Sequence, residues 1–160
     1  MLAISTSDFL WFVDQALDEM VSIVRELGDD MASTRPDLPG ANSPYAILTH
    51  CLGVMEFWGG YMVAGRPVER DRDAEFRAEG PVAELVERAA EARRRLEADV
   101  AAADPVAAPR HDPVLPEDAD TPIGRTQGGV LIHIFRELTQ HLGQMQLTRD
   151  VLLRGSAAPR

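Results

Sequence analysis

The sequence contains no lysine: its 16 basic residues are all arginine, against 26 acidic ones, for a net charge of −10. So little positive charge argues against nucleic acid as a partner, because phosphate contacts need clustered cations. There is one cysteine, Cys51, so no intramolecular disulfide can form, and no Cys-x-x-Cys pair exists for a zinc ribbon or a redox motif. A reducing, cytoplasmic setting is the expectation that follows. Long apolar runs are missing too. Glu56 interrupts the longest candidate, which excludes a membrane span of the usual length. The first twenty residues carry Asp8, Asp14, Asp18 and Glu19 and no basic residue, unlike a secretory signal. Strand signals are also lacking, since no alternating run is bounded by turn residues.

What remains is ordinary globular composition, 45% hydrophobic and 26% charged over 160 residues. It predicts one domain over 1–155, able to bury a core without staples, and a disordered tail over 156–160. Four amphipathic segments carry the fold. The first runs from Ser7, a capping residue, to Leu27, before Gly28; Phe9, Leu10, Val13, Leu17, Met20, Val24 and Leu27 follow one buried face. The second starts at Ser43-Pro44 and runs to Ala64, with Gly65 as its stop. It is apolar on nearly every side. Gly59 and Gly60 inside it mark either close packing or an early end.

The third segment runs from Gly80-Pro81 to Ala103, with Val82, Leu85, Val86, Leu96 and Val100 inward. Its other face reads as a solvated surface of helix-spaced ion pairs, Arg93 to Arg95 included. The fourth runs from Gln127 to Arg154, capped by Thr126 and stopped by Gly155. The connections over 66–79 and 104–125 are long, and the second is rich in proline and acidic residues. Together these predict an all-α four-helix bundle with long crossover connections.

Polar groups on apolar helix faces are the informative exceptions, because burial costs free energy unless they are paired. On the fourth helix, His133, Glu137 and His141 stand four residues apart and stack along one side, at the margin of the apolar face. Glu137 and His141 lie one turn apart, within reach of one ion. On the second, His50 sits among Ile47, Cys51, Val54, Trp58 and Tyr61 with no charged neighbour on its own face. Two imidazoles and a carboxylate from facing helices would make a three-ligand site with an open position, suited to Zn2+ or to Fe2+, Mn2+ or Ni2+. The competing reading makes the histidines satisfied core residues and pairs Glu137 with Arg136 or Arg149.

Other chemistry is poorly supported. The His-Glu-x-x-His protease motif and the duplicated Glu-x-x-His of di-iron bundles are absent. His50 and Cys51 are adjacent and diverge on a helix, so Cys51 reads as a core residue. Met55, Met62 and Met145 read as core filling. His111, in the proline-rich connection, is expected to be exposed and unpartnered.

The stretch Pro39-Gly40-Ala41-Asn42-Ser43-Pro44-Tyr45 leads into Leu48-Thr49-His50-Cys51-Leu52-Gly53. Glu56-Phe57-Trp58 and Arg70-Asp71-Arg72-Asp73 follow, and Glu137-x-x-x-His141-x-Gly143 with Arg149 closes the pattern. In these residues the chain resembles the DinB-like metalloprotein superfamily, nearest to the actinobacterial branch around the N-terminal domain of mycothiol-dependent maleylpyruvate isomerase. The resemblance implies a four-helix bundle holding a divalent metal, usually zinc, through His50, Glu137 and His141. His133 occupies a position often histidine in that branch, one turn too far to be a first-choice ligand. The carboxylate at Glu137 favours the mycothiol-linked branch over three-histidine members.

On this resemblance the expected activity is metal-dependent thiol S-transfer, in which a mycothiol-like thiol attacks a small electrophile. Gln144 would hydrogen-bond the metal-bound group or orient a ligand, and Arg72 and Arg149 would contact the thiol's sugar or carboxylate, each set against a plain surface ion pair. Maleylpyruvate isomerisation itself does not follow, because the chain ends soon after the fourth helix. The rival reading is a non-catalytic metal-binding bundle in a stress-response or interaction role, with its fourth coordination position closed. A bundle with no metal at all is the third. Pairing into a homodimer through helix faces is a further expectation of the family.

Overall fold

Side-chain caps and glycines set where the helices begin and end. In the computed structural model, which describes residues 4–113 and 115–157, helix α1 spans Thr6–Ala32. Ser5 caps it by accepting a hydrogen bond from the Asp8 N–H at 3.0 Å. The cap is therefore Ser5 and not Ser7, whose hydroxyl lies 2.9 Å from that of Ser5. At Gly28 the backbone turns to φ 69°, a conformation open to glycine, and one further helical turn follows. The buried stripe is the one the period predicts, with Ala16, Ile23 and, past Gly28, Ala32 added.

Helix α2 (Pro44–Val54) starts where Ser43 accepts from the Ala46 N–H at 3.2 Å, with Pro44 in the first turn. From Met55 to Val63 the same helix widens into a π-helix, and the Ala64 N–H reaches back to the Gly59 carbonyl at 2.9 Å. Gly65, at φ 76°, ends it where expected, but the interior is not the regular helix that the sequence suggested. Gly59 serves close packing. A Cβ there would stand 2.8 Å from Leu96 Cδ1 on helix α4 (Val82–Ala101). Gly60 gives way in the same manner to the Arg66 guanidinium, which forms a two-pronged pair with buried Asp99 of α4 at 3.0 and 2.8 Å.

The one-turn helix α3 (Arg72–Glu75) interrupts the first long connection. Along α4, Val82, Leu85, Leu96 and Val100 are buried as expected, joined by Ala89 and Ala92, while Val86 is half-buried. Arg94 and Arg95 both pair with Glu91, and Arg93 pairs with Asp14 of α1. The second connection carries a 3-10 turn (Pro116–Asp118) and the short helix α5 (Pro122–Arg125). Buried Gln127 anchors it, accepting from the Asp104 N–H and donating to the Ala108 carbonyl, both at 3.0 Å.

Helix α6 (Gln127–Ala157) is capped by Thr126, which accepts from the Gly129 N–H at 3.0 Å. It passes Gly155, the expected stop, and of the tail expected to be disordered, residues 158–160 lie outside the described residues. Both α1 and the α2–π helix pack against α4 and against α6, around a core that includes Met20, Ile47, Leu48, Met62, Leu85, Ile134, Leu138 and Met145. The architecture is all-helical, and no strand occurs among the described residues. Among them, too, no helix is long and apolar enough to cross a membrane.

Candidate metal centre

The α2–α6 contact decides which polar residues meet. His50 projects from the buried face of α2 and is 2% exposed, while Glu137 and His141 come from the half-buried side of α6. Their ligand atoms lie within 4.8 Å of one another. Glu137 Oε2 stands 3.6 Å from His141 Nε2 and 4.0 Å from His50 Nε2. Those gaps are too long for ordinary hydrogen bonds. They are close to the separation of about 3.4 Å that two ligands about 2.1 Å from a tetrahedral ion would have. The two imidazole rings are edge to face, with centroids 4.8 Å apart.

The far nitrogen of each imidazole is engaged by a second residue. His50 Nδ1–H donates to Glu75 Oε2 at 2.8 Å. Arg70 grips the same carboxylate through two hydrogen bonds, 2.7 Å to Oε1 and 2.9 Å to Oε2. His141 Nδ1–H donates to Gln144 Oε1 at 2.9 Å. Engaging Nδ1 fixes the ring and leaves Nε2 as the free donor to a cation. Gln144 thus contacts the His141 ring itself. The Phe76 ring stacks on His50 at 4.5 Å and 25°, covering its face.

Charge at the centre follows these contacts. Burial alone would push the His50 imidazole down, but Glu137 and Glu75 outweigh it and raise it above its ordinary value, with Arg70 opposing. His141 and His50 hold the Glu137 carboxyl well below the usual range against the pull of burial. Burial raises the Glu75 carboxyl, yet its bonds to His50 and Arg70 bring it below the ordinary value. Burial pushes the Cys51 thiol up, consistent with a core residue.

His133 lies outside the three-residue group. Its ring meets Trp58 edge to face at 4.6 Å, its Nδ1 is buried without a partner, and burial lowers its pKa. His111 departs from expectation: it is half-buried and stacks flat on Tyr61 of the π-helix, with ring centroids 3.7 Å apart. The exposed, unpartnered reading failed because the partner comes from a distant helix. Arg72 lies over the Phe76 ring at 5.2 Å. Arg149 is paired with Asp150 at 2.8 Å and with Glu26 at 4.0 Å, and Arg136 lies 3.7 Å from Glu137. The residues that sequence reasoning missed are Glu75, Arg70 as its partner, and Phe76. Their one trace in the sequence is the dense charge of 70–73, which carries no period to aim them at His50.

An all-helical bundle with two histidines and a carboxylate converging from two of its helices fits the class of helical proteins that can hold a metal ion. The chain belongs to the DinB superfamily, whose family model matches residues 13–145. No curated protein matches it.

Proposed function

We propose that this DinB protein is a metal-dependent thiol S-transferase of the mycothiol-linked branch, in which a low-molecular-weight thiol attacks a small electrophile. One observation carries the reading: His50 and His141 each have Nδ1 engaged within the protein and Nε2 facing the Glu137 carboxylate. The donor set of two imidazoles and one carboxylate fits Zn2+, with Ni2+, Mn2+ or Fe2+ as alternatives. When bound, such a cation stabilises a thiolate, the attacking form of the cosubstrate. Around that chemistry Glu75 and Gln144 hold the imidazoles, Glu137 stays ionised, and Phe76 shields the His50 ring from water. Of the two arginines proposed for the thiol's polar tail, we favour Arg72, since Asp150 and Glu26 already engage Arg149.

The rival, a non-catalytic metal-binding bundle, calls for a closed coordination position. Three protein ligands are the usual complement of a catalytic zinc site, where the fourth position takes water or substrate.

Elemental analysis of untagged protein tests the reading, with thiol consumption measured in the presence of an electrophile. The expected result is about one equivalent of metal in the wild type, lost in His50→Ala and in His141→Ala with helical content retained, and thiol loss that follows metal content. A wild type that takes up no Zn2+ on titration overturns the metal reading. Metal uptake without thiol consumption favours the rival.

A further inference from the structure

The support behind His50 comes from outside the bundle helices. Residues 70–76 fold back over α2, and Asp71 caps the single turn of α3 by accepting from the Ala74 N–H at 2.9 Å. Arg35, just beyond α1, fastens the other end by donating to the Phe76 carbonyl at 2.6 Å. The Glu75 carboxylate is delivered onto the back of helix α2 at Gly53. A Cβ on Gly53 would lie 2.0 Å from Glu75 Oε1 and 2.6 Å from its Cδ, so any other residue there would evict the carboxylate. Glu75 is only 9% exposed, and an ionised group so buried needs a partner. Arg70 is that partner, so the brace adds no net charge to the centre.

An unbraced neutral imidazole can carry its proton on either nitrogen. A carboxylate at Nδ1 selects the Nδ1–H tautomer and raises the basicity of Nε2. We propose that Glu75 is a positioning residue for His50, setting how tightly the centre holds its cation, and that Gly53 is the residue that lets it reach. The inference rests on the reading of His50 as a metal ligand.

Zn2+ affinity measured by competition with a fluorescent chelator tests it, on wild type, Glu75→Leu, Glu75→Gln, Gly53→Ala and the Gly53→Ala/Glu75→Leu double variant. Glu75→Leu is expected to weaken binding about 10- to 100-fold. Glu75→Gln, which keeps an acceptor oxygen and the same shape, should fall between it and wild type and stands in if the leucine variant does not fold. Gly53→Ala should match Glu75→Leu, and combining them should add nothing further, because both remove one contact. Nitrogen-15 spectra of the histidine rings supply a second readout, with the His50 Nδ1 resonance moving in all four variants. A merely structural role would lower the melting temperature and leave Zn2+ affinity unchanged even where that resonance moves. Zn2+ binding by wild type with Glu75→Leu within twofold of it overturns this inference alone, whereas no uptake by wild type overturns it together with the metal reading.

Discussion

The two helices that form the centre are built in opposite ways. Helix α6 is regular and amphipathic, and one side of it supplies Glu137, His141 and, one turn on, the Gln144 that steadies His141. The α2–π helix is apolar on nearly every side, Glu56 excepted, and widened over Met55–Val63, and it contributes His50 with no polar support of its own. Its glycines serve close approach beside the centre, to Leu96 at Gly59 and to Glu75 at Gly53. On α6, close approach falls to Gly128 and Gly129 in the first turn, and a Cβ on Gly143, beside His141, would meet nothing within 4 Å. One helix is nearly self-sufficient as a ligand platform. The other works only because distant segments complete it.

Substitutions can break that contrast. The largest effect is expected for Gly59→Val, where the added side chain meets Leu96 of α4: a loss of about 1–3 kcal/mol by denaturant unfolding, as for other overpacked cores. A neutral result there would mean that the π segment can slide off α4. Gln144→Ala is next, with Zn2+ affinity reduced about tenfold, or about 1.4 kcal/mol, and stability nearly unchanged, since only the His141 Nδ1 contact is removed. An equal loss of fold stability would show that Gln144 holds the helix pair together instead of the ring. The smallest effect has the opposite sign. Gly143→Ala should stabilise α6 by up to about 1 kcal/mol in thermal melts, because helical alanine is favoured where space is open. Destabilisation at Gly143 would erase the distinction between the two helices.

The same contrast explains what could be read from the sequence. Hydrophobic period places α1 and α4 and identifies their faces, since each has one wet side. Four-residue spacing on α6 aligns Glu137 with His141, and His50 stands out as a polar residue on a buried stretch. The π widening left no such trace, because a segment apolar on nearly every side has almost no period to shift. Glu75 was hidden for a different reason. It reaches His50 across 25 residues from a connection whose path is set by Gly65, Asp71 and Arg35 rather than by any repeat. The Tyr61–His111 stack joins the π segment to the second connection and is equally non-local.

Cys51 sits one residue after His50, buried, with its thiol pushed up by the apolar surroundings. Such a group is a poor target for maleimides and oxidants as long as the bundle stays folded. A cysteine introduced at an exposed position would thus be the single reactive thiol on the molecule. Site-specific attachment of a dye or spin label, and distance measurements across the bundle, become possible with the native cysteine left in place.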